Sequence, residues 1–208
     1  IQGNLDLARN PLGEAGEIVA DEFRLIDDQV YRIGVIVSKL LQFARPEEYS
    51  GSDTLITPSA VVKDCLVLTR RQIEAAGVRC EISTESLVQV QMSRTELQQV
   101  IVNLFLNSVH AMPQGGVLTV TTRDSTGGVE IIVTDTGTGI PPDVLPRIFD
   151  PFFTTKQAQG TGLGLSISQQ ILSRAGGTLS VASTVDKGSE FRIFLPDRKT
   201  CNERLIDA

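Results

Sequence analysis

Residues 96–111 read ELQQVIVNLFLNSVHA, and the rest of the chain is organised around this stretch. Apolar and small residues recur in it at intervals of three and four, which predicts a helix with one buried face. That face holds Leu97, Val100, Ile101, Leu104, Ser108 and Ala111. The preceding run 93–96, SRTE, fits a capping box that begins the helix, and the run 113–116, PQGG, ends it.

A stripe of polar side chains lies beside the apolar face. Glu96, Asn103, Asn107 and His110 are spaced so that their side chains share one side of the helix. Amide oxygens suit Mg²⁺, a hard cation that keeps several waters and also binds phosphate oxygens. Two asparagines alone are more often part of a solvated surface, but the motifs that follow favour a metal and phosphate site.

Two glycine-rich motifs follow. Residues 135–139 read DTGTG and come after a predicted strand, VEIIV, at 129–133. A carboxylate at a strand end can accept a hydrogen bond from an exocyclic amine, and glycines let backbone approach a flat ring. Residues 160–165 read GTGLGL and open a helix that is predicted to reach Ala175, and the N-terminal amides of that helix would bind phosphate. Each motif alone also fits an ordinary turn, whereas the set predicts a pocket for a nucleotide and its magnesium ion.

In this order the motifs resemble the characteristic boxes of sensor histidine kinases, a branch of the GHKL ATPases. The resemblance covers the N box at 96–111, the first G box at 135–139, the F box at 148–156, the second G box at 160–165, and the closing strand pair at 187–191 with 195–196. The F box, IFDPFFTTK, resembles the nitrogen-regulatory, NtrB-like branch. The resemblance implies a Bergerat-type sandwich that holds ATP between helices and a lid.

The element order also indicates an α+β fold, because helices and strands mix without regular βαβ alternation. We expect a two-layer sandwich with one mostly antiparallel mixed sheet and helices on one face. Predicted strands cover 54–57, 78–83, 87–90, 117–123, 129–134, 178–183 and 189–195. Predicted helices cover 58–76 (with Val61, Cys65, Leu68 and Ile73 on its apolar face), 96–111 and 160–175, with a short one near 143–148.

The irregular segment 136–162 is interpreted as a lid, because it is long and lies between two nucleotide motifs. Phe149, Phe152 and Phe153 are predicted to anchor this lid on the core.

Residues 1–46 are predicted to form a helical hairpin, with heptad-like apolar spacing along 14–44. Such a stripe favours partner helices, and packing on the same chain is the alternative. By resemblance this is a partial dimerisation and histidine-phosphotransfer hairpin, through which the parent protein would form a homodimer. The remaining predicted parts are a linker and first strand at 47–57, the catalytic ATP-binding domain at 58–196 and a loose tail at 197–208.

The chain begins with Ile1 rather than Met, so we expect a fragment. The resemblance places the phosphoacceptor histidine just before Ile1, and the single histidine present is His110. We therefore expect that the chain as given does not phosphorylate itself at the usual site.

Composition narrows the class of protein. A net charge of -6 argues against a nucleic-acid surface. No apolar run approaches membrane-spanning length, and no signal-like start is present. Cys65, Cys80 and Cys201 lack metal-binding spacing, which predicts reduced thiols in a cytoplasmic protein. We expect no membrane contact by this fragment, and the topology of the parent is left open.

The resemblance also implies residue roles. Asn107 would ligate magnesium, with Asn103 and His110 facing the phosphates, and Asp135 would bind the adenine amino group. The full set of predicted nucleotide contacts is Asn103, Asn107, His110, Asp135, Gly137, Gly139, Ile140, Lys156, Gly160, Thr161, Gly162, Leu163, Gly164, Leu165 and Ser189. Alternatives stay open for three residues: a structural role for His110, a solvated Lys156 and helix capping by Glu96.

These roles predict the ATP-binding catalytic core of a sensor histidine kinase. The γ-phosphoryl group of ATP would pass to a histidine nitrogen and then to an aspartate of a response-regulator receiver domain. One alternative is a nucleotide-binding module that docks a regulator or gates dephosphorylation. Another is an ATPase that hydrolyses ATP for conformational work; such relatives place a glutamate where Asn103 stands, and an amide cannot replace that general base.

Overall fold

A five-stranded mixed sheet covered by helices, together with a small two-stranded sheet, forms the described part of the chain. The structure, a computed structural model, describes residues 54–155 and 161–197. The elements are β1 (Thr54–Ile56), α1 (Pro58–Ala75), β2 (Val78–Thr84), β3 (Val90–Met92), α2 (Arg94–Ala111), β4 (Gly116–Ser125), β5 (Gly128–Asp135), a 3₁₀ helix (Leu145–Arg147), α3 (Gly164–Arg174), β6 (Thr178–Thr184) and β7 (Gly188–Pro196). Several predicted features lie outside the described residues: the hairpin 1–46, linker residues 47–53, Lys156, Gly160, Cys201 and tail residues 198–208.

The five strands of the main sheet lie in the order β2-β4-β5-β7-β6. The β2–β4 pair is parallel and the other three pairs are antiparallel. Strands β1 and β3 form a separate antiparallel pair. The predicted α+β sandwich with a mostly antiparallel mixed sheet is therefore confirmed, with one small sheet added.

One face of the sheet is buried, and its register positions the site. Alternate residues of the central strand, Val129, Ile131 and Val133, are buried, as the period of two requires. The last residue of the same face is Asp135, which pairs with Leu118 on one side and Ser189 on the other. The apolar face of the sheet thus ends in a carboxylate.

Helix α2 is the central helix of the covering layer, because it contacts both α1 and α3 and also lies on β5. The Ser93 hydroxyl accepts a hydrogen bond from the Glu96 amide, so the predicted cap is present and the helix begins at Arg94. Its buried side chains are Leu97, Val100, Ile101, Leu104, Phe105, Ser108 and Val109. The helix is buried along most of its length, which fixes it as a rigid support.

The predicted apolar face of α1 is wrong at Leu68, which is 59% exposed. The buried stripe runs from Cys65 through Thr69 to Ile73 at intervals of four residues, which leaves Leu68 beside it. Thr69 is tolerated inside because its hydroxyl donates to the Cys65 carbonyl at 2.8 Å.

The predicted strand 87–90 is also wrong, since the third strand begins only at Val90. The Val88 amide donates to the Ser86 hydroxyl at 3.3 Å, a side-chain turn that takes the chain out of extended pairing. Leu87 is 84% exposed as a result.

The lid prediction is wrong at one of its three anchors. Phe152 is exposed and has a left-handed φ of 66°, so it does not pack on the core. Phe149 and Phe153 are half-buried, and the Arg147 guanidinium lies 4.3 Å from the centre of the Phe153 ring. Near them Ile148 is buried. Ile148, rather than Phe152, is therefore the side chain of this stretch that is buried in the core.

Within residues 54–155 and 161–197, no helix has the length and apolar character needed to cross a membrane.

Candidate nucleotide site

Asp135 is held by hydrogen bonds from three separate segments. Its Oδ1 accepts from the Gly137 amide at 2.9 Å and from the Ser189 amide at 3.3 Å. Its Oδ2 accepts from the Ser108 hydroxyl at 3.2 Å. The residue is 2% exposed. Burial raises the pKa of the Asp135 carboxyl, and the three hydrogen bonds oppose that rise because they stabilise the charged form.

The loop after Asp135 is fastened at both sides. The Thr138 amide donates to the Ala111 carbonyl at 3.0 Å, at the last residue of α2. The Thr138 carbonyl accepts from the Asp186 amide at 2.8 Å, and the Ile140 amide donates to the Ser183 hydroxyl at 2.8 Å. Helix α2 and the β6–β7 hairpin therefore set the path of the first glycine motif.

The glycines of this loop are needed by the protein's own backbone. A Cβ on Gly137 would lie 2.5 Å from the Ala111 carbonyl oxygen. Gly139 has a φ of +68°, and a Cβ there would lie 2.1 Å from the Thr184 carbonyl oxygen. These contacts explain both glycines without a ligand, so their predicted contact with a base stays a prediction.

Ser189, one of the predicted nucleotide contacts, lies beside Asp135, its partner on the neighbouring strand. Its amide bonds the carboxylate, and its hydroxyl lies 2.9 Å from the hydroxyl of Ser183. The preceding Gly188 has a φ of +100°, and a Cβ on it would lie 1.8 Å from the Asp135 carbonyl oxygen. The closing hairpin thus reaches the carboxylate through a residue that must be glycine.

Asn103 lies against the first turn of α3. Its Nδ2 donates to the Ser168 hydroxyl at 3.1 Å, and that hydroxyl donates to the Gly164 carbonyl at 2.9 Å. A Cβ on Gly164 would lie 2.4 Å from the Asn103 Oδ1 atom. The absence of a side chain at Gly164 lets the two helices meet at this asparagine.

The second glycine motif is shorter as a helix than predicted, because α3 begins at Gly164. Leu163 is buried, while Thr161, Gly162 and Leu165 are half-buried. Gly162 has a φ of +67°, and a Cβ there would lie 2.3 Å from the Phe152 carbonyl carbon. The motif therefore brings the end of the lid segment against its middle.

Asn107 and His110 occupy the same helix as Asn103, and they are half-buried and exposed respectively. Within the residues that the structure describes, no group of three or more His, Cys, Asp or Glu side chains could hold a metal ion. The predicted magnesium ligand, the Asn107 amide oxygen, lies one turn after Asn103 on α2, and its role stays a prediction.

Glu96 takes part in a different contact. Its carboxylate lies 2.5 Å from the Arg174 guanidinium, which joins the first turn of α2 to the last turn of α3. Its amide donates to the Ser93 hydroxyl, which a residue of any type at this position can do, and its side chain links two helices. The choice between a capping role and an N-box role for this side chain stays open.

Three serines of the site were missed by the sequence reasoning: Ser108, Ser168 and Ser183. Ser108 carried a signal, since a serine on an otherwise apolar helix face needs a buried partner. The other two lie on a short helix and a strand where serine has no such distinction.

Comparison with known proteins agrees with this geometry. The model of the family described as "Histidine kinase-, DNA gyrase B-, and HSP90-like ATPase" matches residues 92–199. The sensor histidine kinase ZraS of Escherichia coli O157:H7 is 36% identical over 190 residues, which cover 88% of this chain and 39% of that protein. The chain therefore spans about two fifths of the length of this curated relative.

Solved structures show the same fold. The catalytic domain of histidine kinase ThkA in a nucleotide-free form matches with a TM-score of 0.64 and 30% identity, over 71% of this chain and 97% of that chain. ThkA in complex with the response regulator protein TrrA matches with a TM-score of 0.65 and 27% identity, over 85% of this chain and 50% of that chain.

Proposed function

The chain belongs to the histidine kinase-, DNA gyrase B- and HSP90-like ATPase family, and we propose that it is the ATP-binding catalytic core of a sensor histidine kinase. In this role it binds ATP and presents the γ-phosphoryl group to a histidine nitrogen on a dimerisation helix. The phosphoryl group then passes to an aspartate of a response-regulator receiver domain.

One observation carries the proposal: a single helix joins a buried carboxylate to the N-terminus of another helix. Ser108 of α2 bonds Asp135, and Asn103 of α2 lies against the first turn of α3. A carboxylate can accept the exocyclic amine of adenine, and a helix N-terminus binds phosphate. The two groups lie at the two ends of one short helical segment, which suits a ligand with a base at one end and phosphates at the other.

The amide at Asn103 favours transfer to a protein over hydrolysis. Hydrolysing relatives of this family need a base at that position to activate water. Here Asn103 donates a hydrogen bond to Ser168, and an amide does not take up a proton from water at neutral pH. Phosphoryl transfer mainly requires positioning and charge stabilisation, which these residues can supply.

The magnesium site is part of the proposal. The Asn107 amide oxygen would hold Mg²⁺ with the phosphate oxygens, and His110 and Lys156 would lie near the same phosphates. Bound Mg²⁺ supplies neutralisation of phosphate charge. The half-buried position of Asn107 on the same helix as Asn103 supports this assignment.

The partners and location are proposals as well. A receiver domain as partner is supported by the similarity to ThkA, which has been solved in complex with a response regulator protein. A homodimer through the hairpin 1–46, a place in the NtrB-like branch and a cytoplasmic location rest on the motifs in the sequence.

Calorimetric titration of a non-hydrolysable ATP analogue, with and without magnesium, tests the proposal. The unaltered chain should bind in a magnesium-dependent manner, and Asn107→Asp should abolish binding because it sets a carboxylate against the phosphates. Gln72→Glu makes the same amide-to-acid change at an exposed position on α1 and should bind normally. Phosphate transfer to a supplied histidine-bearing helix is the second step.

Failure of the unaltered chain to bind the analogue would count against an ATP site. A docking module that recognises a regulator without nucleotide would then become the better description. Equal binding by Asn107→Asp and Gln72→Glu would leave ATP recognition in place and would show that the side chain at position 107 does not lie against the phosphates.

A further inference from the structure

We propose that Ser108 is a positioning residue for base recognition, which orients the one Asp135 oxygen that accepts the exocyclic amine of adenine. The inference rests on the proposed function and assigns a role within it to a residue outside the predicted set of nucleotide contacts.

The oxygen of Asp135 that can still accept a hydrogen bond is Oδ2. An ionised carboxylate has about four lone-pair sites, two on each oxygen. Both sites of Oδ1 are taken, by the Gly137 and Ser189 amides. One site of Oδ2 is taken by the Ser108 hydroxyl. The remaining site lies on Oδ2, so a base amine and the Ser108 hydroxyl would share that atom.

Among the described residues, Ser108 is the one that donates a hydrogen bond to Oδ2, and it does so from a rigid helix. Ser108 is 1% exposed and follows Asn107 on α2, so its position is set by the buried core. The two donors to Oδ1 fix one end of the carboxylate, and the Ser108 hydroxyl fixes the other. Without it, the turn of the carboxylate about its Cβ–Cγ bond would be restrained only from the Oδ1 side, by the Gly137 and Ser189 amides.

The bond also favours the charged form of the acceptor. Burial raises the pKa of Asp135, and the Ser108 hydrogen bond is one of the contacts that lower it. A charged carboxylate accepts from the 6-amino group of adenine, whereas a 6-oxo purine would place an acceptor against an acceptor. Ser108 therefore acts on the discrimination of the 6-position of the purine rather than on the phosphates.

A purely structural role for Ser108 makes a different prediction. If the hydroxyl served only to stabilise the fold, its loss would weaken the binding of every nucleotide alike. Two ligands that differ at the 6-position alone can separate the two roles: ADP, and purine riboside 5′-diphosphate, which lacks the amino group.

The experiment is calorimetric titration of both diphosphates, with magnesium, into the full chain and into Ser108→Ala. We expect the affinity for ADP to fall about tenfold, as for loss of a hydrogen bond to a charged group, with purine riboside diphosphate changed by less than about twofold. Ser108→Cys keeps the size of the side chain with a much weaker donor, and it should show the same selective loss if the alanine variant fails to fold.

Ser59→Ala is the matched control. Ser59 is also buried and also bonds through its hydroxyl, to the Ser86 carbonyl at 2.6 Å and to the Thr122 hydroxyl at 2.7 Å. Thr122 lies four residues along β4 from Leu118, the strand partner of Asp135. The control should lower the thermal midpoint without changing the ratio of the two affinities.

Equal weakening of both diphosphates by a folded Ser108 variant, or no weakening of either, would overturn the inference. An unaltered chain that binds neither diphosphate would instead contradict the proposed function. An unaltered chain that binds both equally would show that no 6-amino contact exists for Ser108 to support, and would overturn the inference alone.

Discussion

The two ends of the proposed site are built differently. At the base end, Asp135 is buried and takes three hydrogen bonds from protein donors on α2, on the following loop and on β7. At the phosphate end, Asn107, Thr161 and Gly162 are half-buried, and the asparagine amide of Asn103 contacts one helix turn. At the base end, protein donors already occupy most of the acceptor sites of the carboxylate, whereas the groups at the phosphate end are still accessible to solvent.

This contrast is what the proposed ATP ligand would require. A base is flat and carries a few polar atoms along its edge, so a rigid, nearly dry acceptor gives selectivity. Phosphates carry charge and bind magnesium with its waters, which requires solvent-accessible groups. Substitutions at the base end should therefore change stability and affinity together, and those at the phosphate end should change affinity with little cost in stability.

The strongest expected effect is that of Gly188→Ala. A Cβ at this position would lie 1.8 Å from the Asp135 carbonyl oxygen, and its φ of +100° disfavours any other residue. Backbone is the obstacle, so relief requires the closing hairpin to move. We expect a loss of roughly 3 kcal/mol in the free energy of unfolding, measured by urea denaturation. A loss below about 0.5 kcal/mol would show that the closing hairpin can move away from Asp135 at little cost in stability, and that the base end is not rigid.

Asp135→Asn should change affinity and stability together at the same end, but in opposite directions. The amide oxygen can keep both Oδ1 donors, and its nitrogen can donate to the Ser108 hydroxyl. We expect about a hundredfold loss in ATP affinity, since the acceptor for the base becomes a donor.

The same variant should be more stable than the unaltered chain at neutral pH. Burial raises the pKa of Asp135 above its ordinary value of 3.8, so the folded chain binds this proton more tightly than the unfolded chain. The free energy of unfolding therefore falls as pH rises from 3.8 through the raised pKa and stays lowered above it. Urea denaturation should show a gain for the Asp135→Asn variant at pH 7 that disappears as pH falls; a gain that persists at the acidic limit would contradict this cause.

Gly164→Ala tests the phosphate end in the same way as Gly188→Ala tests the base end. The added Cβ would meet the Asn103 side chain at 2.4 Å rather than backbone, and a side chain can turn away. We expect a stability loss of about 1 kcal/mol or less, together with weaker ATP binding because Asn103 leaves the first turn of α3. A stability loss equal to that of Gly188→Ala would remove the contrast between the two ends.

The smallest effect is expected for Glu96→Gln, which weakens the ion pair with Arg174 and keeps the helix cap. The guanidinium is 35% exposed, so the pair should contribute no more than about 1 kcal/mol. Nucleotide affinity should stay unchanged in titration calorimetry. A large loss of affinity would give Glu96 a place in the site and revive the N-box role weighed against capping.

The sequence predicted the strand that ends in Asp135 and most of the buried side of α2, because periodicity and residue type determine both. It included Ala111, which is half-buried, and left out Phe105 and Val109, which are buried. It could not predict that Thr69 rather than Leu68 is buried, because the burial of Thr69 depends on the hydrogen bond that its hydroxyl donates to the Cys65 carbonyl. The sequence explained Gly137 and Gly139 by close approach of a ligand. In the structure the carbonyl groups of Ala111 and Thr184 lie where a side chain at these positions would be. Contacts between distant segments are invisible to local pattern, and the Ser108–Asp135 bond is one of them.

Helix α2 also fixes the distance between the two ends of the proposed site. Asn103 and Ser108 are five residues apart on it, which corresponds to about 7.5 Å along a helix axis. In the proposed site, the distance between the base end and the phosphate end is thereby set by the number of helical residues between these two positions. A single residue inserted between those two positions would turn one end by about 100° relative to the other. The number of residues between Asn103 and Ser108 therefore matters more to the proposed site than the identity of those residues.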